Sequence, residues 1–272
     1  MRYIRVPSLI AGALLALVFA ACGGSSSPAA TAVPGQTPSG SITVLAAADL
    51  RGAFDQIGAA FAKTCDCHVT FSYGSSGNFA TQIKAGSPGD VFASADVSYV
   101  DGLEKDGLIL PGTKQDYAIG RIVLATNAGA SLTAGALADL AGSGFKRIAI
   151  ANPDHAPYGR AAKEALTALG LWGAIEPKLV LGENAAQATQ YVQTGDADAG
   201  IIPLSLAIQN KDQLRYVLID DKLHGPLRQA AAVLEQSKHA DVARAFLEYV
   251  NGAEGRRIMR EYGFVLPGEQ AP

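Results

Sequence analysis

The residues best placed to do chemistry in this chain are hydroxyls and main-chain amides gathered where strands run into helices. In Gly74-Ser75-Ser76-Gly77 an apolar strand meets glycines and serines, and a helical pattern follows. Ser76 can cap the helix expected from Asn78, since a serine hydroxyl satisfies orphan N–H groups of a first turn. The same place suits an anion, because unpaired amides and the positive end of the helix dipole point at it. Three more loops have this form: Ala46-Ala47-Ala48-Asp49, Asn152-Pro153-Asp154-His155-Ala156-Pro157-Tyr158-Gly159 and Gly182-Glu183-Asn184-Ala185. Four helix starts around one cleft would hold an oxyanion. Four capped turns of an ordinary α/β protein would read the same way, so the local pattern leaves both open.

Other chemistries find less support. The serines lack the G-x-S-x-G spacing of a nucleophile elbow. His68, His155, His224 and His239 are scattered, with no carboxylate at catalytic spacing, and read as surface or structural residues. No catalytic residue is expected. A net charge of −3 argues against nucleic acid, which requires a basic face. An aromatic content of 7%, with no aromatic cluster in the loops, gives an adhesion surface little basis. Cys65 and Cys67 have no second cysteine pair to complete a tetrahedral metal site. A local disulfide or two free thiols are favoured, and the sequence does not choose between them.

Elements of alternating type must position these loops. Strands are expected at Ser41–Ala46, His68–Tyr73 and Val91–Ala93, with helices at Asp49–Thr64, Asn78–Ala85 and Val97–Asp106. A second set has strands at Ile122–Thr126, Arg147–Ala151, Lys178–Leu181, Ala199–Pro203 and Gln213–Leu218. Its helices are Ala136–Leu140, Tyr158–Leu169 and Asn184–Thr194. A strand at Gln229–Leu234 and helices at Asp241–Asn251 and Ala253–Tyr262 close the chain. Such alternation implies parallel strands with crossover helices, and hence two α/β lobes with a ligand cleft at the strand ends.

The N-terminus stands apart. Arg2 and Arg5 precede an apolar run, Leu9–Ala21, that is too short to span a bilayer. Its end, Phe19-Ala20-Ala21-Cys22-Gly23, resembles a bacterial lipoprotein signal, with 1–21 removed and Cys22 lipidated. The alternative is an ordinary secretory signal in which Cys22 is incidental. Residues 22–40 are rich in Ser, Pro, Ala, Thr and Gly and read as a flexible leash.

Taken in order, ITVLAAADL, FSYGSSGNFATQIKAGSPGDVFASAD, ANPDHAPYGRAAKEAL, GENAAQATQYV and REYGFVLP resemble the molybdate-binding proteins of bacterial ABC importers, over nearly all of Ser41 to Leu266. The resemblance implies a two-lobed periplasmic binding protein fold in which the chain crosses twice, near Ile119-Gly120 and Pro226-Leu227. Lobe I would be 41–119 plus 227–272, and lobe II 120–226. It implies capture of molybdate, and of tungstate, for an ABC permease in the membrane. The protein would be a monomer, exported to the periplasm or the outer face of the membrane, with no catalysis and no cofactor. Ser76 matches a serine that holds one oxygen of the anion, and Ala185 a residue that offers its backbone N–H. Tyr158 stands where some members have a hydrogen-bonding Tyr. Pro203 stands where others have a ligand-binding Tyr, so that contact is lost.

Asp49 departs from the Ser or Asn of relatives. A carboxylate beside a dianion in a dehydrated cleft is repulsive. It could turn away to cap its own helix, or hold a proton shared with a hydrogenated oxyanion, or help build a more highly coordinated metal centre. The first reading is preferred, because Asp49 immediately precedes an amphipathic helix. Asp49 also keeps phosphate in view; the alternative function is binding of another tetrahedral oxyanion such as phosphate or sulfate, with an extracytoplasmic hydrolase behind it.

Overall fold

The computed structural model describes residues 39–270. The signal segment, Cys22 and most of the leash lie outside the described residues. Two five-stranded sheets, each flanked by helices, form the body of the protein.

The first half runs β1 (Ser39–Ala47), α1 (Arg51–Phe61), β2 (Asp66–Gly74), α2 (Ser76–Lys84), β3 (Val91–Ser94), α3 (Val97–Lys105) and β4 (Gln115–Gly120). The second contains β5 (Ile122–Asn127), β6 (Ile148–Ala151), α4 (Pro157–Ala168), α5 (Trp172–Ile175), β7 (Leu179–Gly182), α6 (Ala185–Thr194), β8 (Ala199–Pro203), α7 (Leu204–Gln209) and β9 (Leu214–Leu218). The chain then returns through β10 (Leu227–Val233) to α8 (Ala240–Asn251) and α9 (Ala253–Glu261). Strand order is β2-β1-β3-β10-β4 in one sheet and β7-β6-β8-β5-β9 in the other.

The sheets are mixed, which corrects the expectation of parallel strands throughout. β1 is parallel to β2 and β3, and β6 to β7 and β8. β10, however, lies antiparallel between β3 and β4, and β5 antiparallel between β8 and β9. Both exceptions are strands at which the chain changes sheet. A strand arriving from the other sheet needs no crossover helix, and so is not bound to the parallel direction that such a helix imposes.

Burial follows the helical period. Phe54, Ile57 and Phe61 of α1 are buried against β2 and α8, with Phe54 and Phe246 edge to face at 5.9 Å and Phe61 and Phe246 at 5.5 Å. Each such aromatic pair adds about 0.5–1.5 kcal/mol beyond the area it buries. This packing fixes α1, and so the turn ahead of it that carries Asp49. Cys65 and Cys67 are paired as a disulfide between α1 and β2, one of the two states the sequence left open. Among the described residues no helix is long and apolar enough to cross a membrane.

Candidate functional site

Where the two sheets face each other, the loops after β1, β2 and β6 and the start of α6 enclose a small cavity of about 10 Å³, room for about one water. That is below the roughly 300–1,000 Å³ of pockets for drug-sized ligands. Asp49, Ser76, Tyr158 and Ala185, which come from four separate segments, all line it. Apart from Asp49 its lining is uncharged.

The helix starts are built differently from the sequence expectation. α2 begins at Ser76 rather than Asn78, and its N-cap is Ser75, whose side chain makes no capping bond. Ser76 is instead buried, and its Oγ accepts the Ala95 N–H at 3.0 Å. Accepting there leaves the Ser76 O–H proton free to donate. The Ser75 hydroxyl crosses to the other sheet and donates to the His155 carbonyl at 2.6 Å, while Nδ1 of His155 lies 2.9 Å from it. A hydroxyl that donates to the carbonyl accepts from the ring, so Nδ1 carries the proton. His155 is thus a structural bridge, as its loop suggested. Gly77 N–H donates to the same carbonyl at 3.0 Å. A Cβ at Gly77 would stand 2.6 Å from that oxygen and 2.9 Å from the Tyr99 hydroxyl, so glycine is what lets the two halves meet.

α4 opens with Pro157, whose missing N–H costs nothing at a first helical position. At α6 the Asn184 side chain caps, accepting from Ala186 and Gln187 at 3.0 and 3.1 Å. Ala185, in the first position, retains an amide with no partner inside the helix. Three helices of nine to twelve residues therefore begin at the wall of one cavity.

Asp49 corrects the preferred reading of the sequence. It lies in a single 3-10 turn, Ala48–Leu50, ahead of α1, and its side chain caps no helix. Its Oδ2 accepts from the Tyr158 hydroxyl at 2.9 Å and from Gln229 Nε2 at 2.8 Å. Gln229 Nε2 also reaches the Tyr158 oxygen at 3.0 Å, closing a three-membered ring of polar side chains. Ser205 Oγ donates to the Asp49 carbonyl at 2.8 Å. Asp49 is 1% exposed and Gln229 fully buried, and Asp49 Oδ1 and Gln229 Oε1 have no partner. Burial raises the Asp49 carboxyl from 3.8, and the bonds from Gln229 and Tyr158 draw it only partly back, to about 6. Burial, then the neighbouring Asp49 charge, holds the Tyr158 phenol well above its ordinary value. Tyr158 has one proton to give, and here it is given to Asp49. Among the described residues no three His, Cys, Asp or Glu gather as metal ligands, which leaves the metal-centre reading of Asp49 without a donor set.

Gln229, Ser205 and Gly120 escaped the sequence reading. Gly120 ends β4 so close to this ring that a Cβ there would overlap the Tyr158 hydroxyl and stand 2.8 Å from Gln229 Nε2. Further bonds tie the halves around the cavity. Arg160 pairs with Asp96, and Asn78 Nδ2 donates to Glu183 at 2.6 Å.

Residues 42–265 match the family model of the bacterial extracellular solute-binding proteins. The chain belongs to that family. It is 34% identical over 83% of its length to a molybdate-binding protein of Rhodobacter capsulatus, covering 88% of that protein. It is 35% identical over 83% of its length to the molybdate-binding protein of Azotobacter vinelandii, covering 90%. The solved structure of the periplasmic molybdate-binding protein of Azotobacter vinelandii superposes with a TM-score of 0.77 at 32% identity, over 83% of this chain and 99% of that one. The two-lobed α/β fold expected from the sequence is therefore that of its relatives, and members of this family bind solutes rather than transform them.

Proposed function

We propose that this protein captures molybdate outside the cytoplasm and delivers it to the permease of an ABC importer. The observation that carries the reading is the convergence of the free Ser76 hydroxyl and the starts of α2, α4 and α6 on one small cavity with no cation in its wall. Neutral donors in a dehydrated site favour a fully deprotonated tetrahedral anion. A protonated one would present an O–H that these donors cannot accept, at about 1–3 kcal/mol unless it is taken by Asp49 Oδ1. The Ser76 hydroxyl and the Ala185 amide are the first contacts. Tyr158 acts through Asp49, because its proton is committed there.

Tungstate, with the same charge and nearly the same size, is expected to bind as well. Closure of the two halves, through Ser75, Gly77 and Arg160, would exclude water and present the closed shape to the permease. Cys22 is proposed as the lipid-modified residue that tethers the exported protein as a monomer. Loss of membrane association in Cys22→Ala cells tests that point.

Isothermal titration of the purified protein tests the main reading. One-to-one binding of molybdate and tungstate, with sulfate and phosphate silent, is expected. Phosphate or sulfate binding tighter than molybdate would move the protein to another solute.

A further inference from the structure

Asp49 is the one carboxyl in the wall of the cavity, and in its charged form it competes with the ligand. Its Oδ2 already takes the Tyr158 proton and a Gln229 N–H, donors that an incoming anion would otherwise find. Its Oδ1, buried and without a partner, can only repel an oxyanion while it remains an acceptor. A proton on Oδ1 changes both facts. The charge disappears, the bonds to Oδ2 persist, and the orphan atom of this cavity-lining residue becomes an O–H donor.

We propose that Asp49 is the proton carrier of this site: the oxyanion binds together with one proton held on Asp49 Oδ1. The proposal rests on the molybdate reading above and names how that site accepts a dianion.

The surroundings leave Asp49 no other source of compensation. Tyr158 from α4 and Tyr117 from β4 are neutral phenols, Tyr117 donating to the Ser94 carbonyl at 3.0 Å. Gln229 from β10 and Ser205 from α7 do not titrate. Arg51, two residues along, lies 4.6 Å over the Tyr73 ring, and Tyr73 is bonded to Asp55. Across the cavity, Arg160 is paired with Asp96, and His155 is bonded to Ser75. Among the described residues no cation pairs with Asp49. Burial, only partly offset by the bonds from Gln229 and Tyr158, lifts its carboxyl to about 6, and a neighbouring dianion lifts it further.

Titration of the full chain with molybdate between pH 5.5 and 8.5, in two buffers of different ionisation enthalpy, tests this. Uptake of about one proton per anion is expected at pH 8, with affinity falling about tenfold per pH unit above pH 6 and level below it. Asp49→Asn places an amide donor where Oδ1 stood. It should bind without proton uptake, with a flat pH profile, about 100-fold tighter than the parent at pH 8. Tyr158→Phe removes a bond that favours the charged carboxylate, so the bend in its profile should move to higher pH. Wild-type binding without proton uptake, a pH dependence that survives in Asp49→Asn, or an unmoved bend in Tyr158→Phe would overturn the proposal. Absence of molybdate binding at every pH in a folded protein would instead overturn the molybdate reading, and this proposal with it.

Discussion

On one side of the cavity Ser76 and the starts of α2, α4 and α6 present uncharged donors. On the other, Asp49, Tyr158 and Gln229 bring a carboxylate into a fully buried ring and leave two oxygens unpaired. The first side is assembled from local rules: a strand ends, glycines or a proline follow, and a helix begins with amides unspent. The second depends on β10 returning from the other sheet to lie beside β4, so that Gln229 and the backbone of Gly120 meet a tyrosine from α4. Donors made by helix starts cost the fold little, whereas a buried ionised carboxylate works against it. The first side explains why an anion can bind, and the second sets the conditions under which it does.

The largest effect that would break this contrast is on stability. The folded Asp49 carboxyl titrates at about 6 against 3.8 when unfolded, so between those values the folded form holds the extra proton. Its contribution is fully present below about pH 4 and lost as pH rises through 6. Removing the charge should therefore stabilise the anion-free protein at pH 8 by up to about 3 kcal/mol. Urea denaturation of Asp49→Asn against the parent at pH 4.5 and pH 8 checks it, and the gain should shrink at the lower pH. A constant difference would mean that the carboxylate is not the strained element.

Ser76→Ala comes next. It removes the donor of the neutral side and leaves the Ala95 N–H buried without its acceptor, so molybdate affinity should fall about 10–100-fold, equivalent to roughly 1.5–3 kcal/mol, in titration calorimetry. Gly77→Ala leaves both sides intact but crowds the His155 carbonyl, at about 1–3 kcal/mol against closure. Small-angle scattering with saturating molybdate should show a more open particle than the parent. Arg160→Ala removes a half-exposed ion pair with Asp96 and should change affinity by about 1 kcal/mol or less, with a correspondingly weak salt dependence. A loss as large as that of Ser76→Ala would shift the weight of recognition from the cavity to its rim.

The two sides also differ in how far they could be read from the sequence. Ser76, Ala185 and the elements around them follow from glycine placement and a change of period, and nearly every expected strand and helix is present within a few residues. Ser76 itself does not cap: the extended residue ahead of the helix is Ser75, and two adjacent serines cannot be told apart by composition. β4 was missed because Gln115-Asp116-Tyr117-Ala118-Ile119-Gly120 is short and carries polar residues at its start. With β4 absent, nothing linked Gly120 to Tyr158, or Gln229 to Asp49. A residue 180 positions from its partner leaves no local signal, and the single hint was a buried-strand glutamine, Gln229, among alanines. The capping role expected for Asp49 came from adjacency to a helix. The structure gives it partners from two other elements, and tertiary hydrogen bonds override that adjacency.

The most direct test of the central claim is a crystal structure with tungstate, located by its anomalous scattering. The account predicts one anion in the small cavity, within hydrogen-bonding distance of Ser76 Oγ, the Ala185 amide and Asp49 Oδ1. An anion in the larger open groove lined by Arg51, Tyr73 and Gln187, with the small cavity empty, would contradict it.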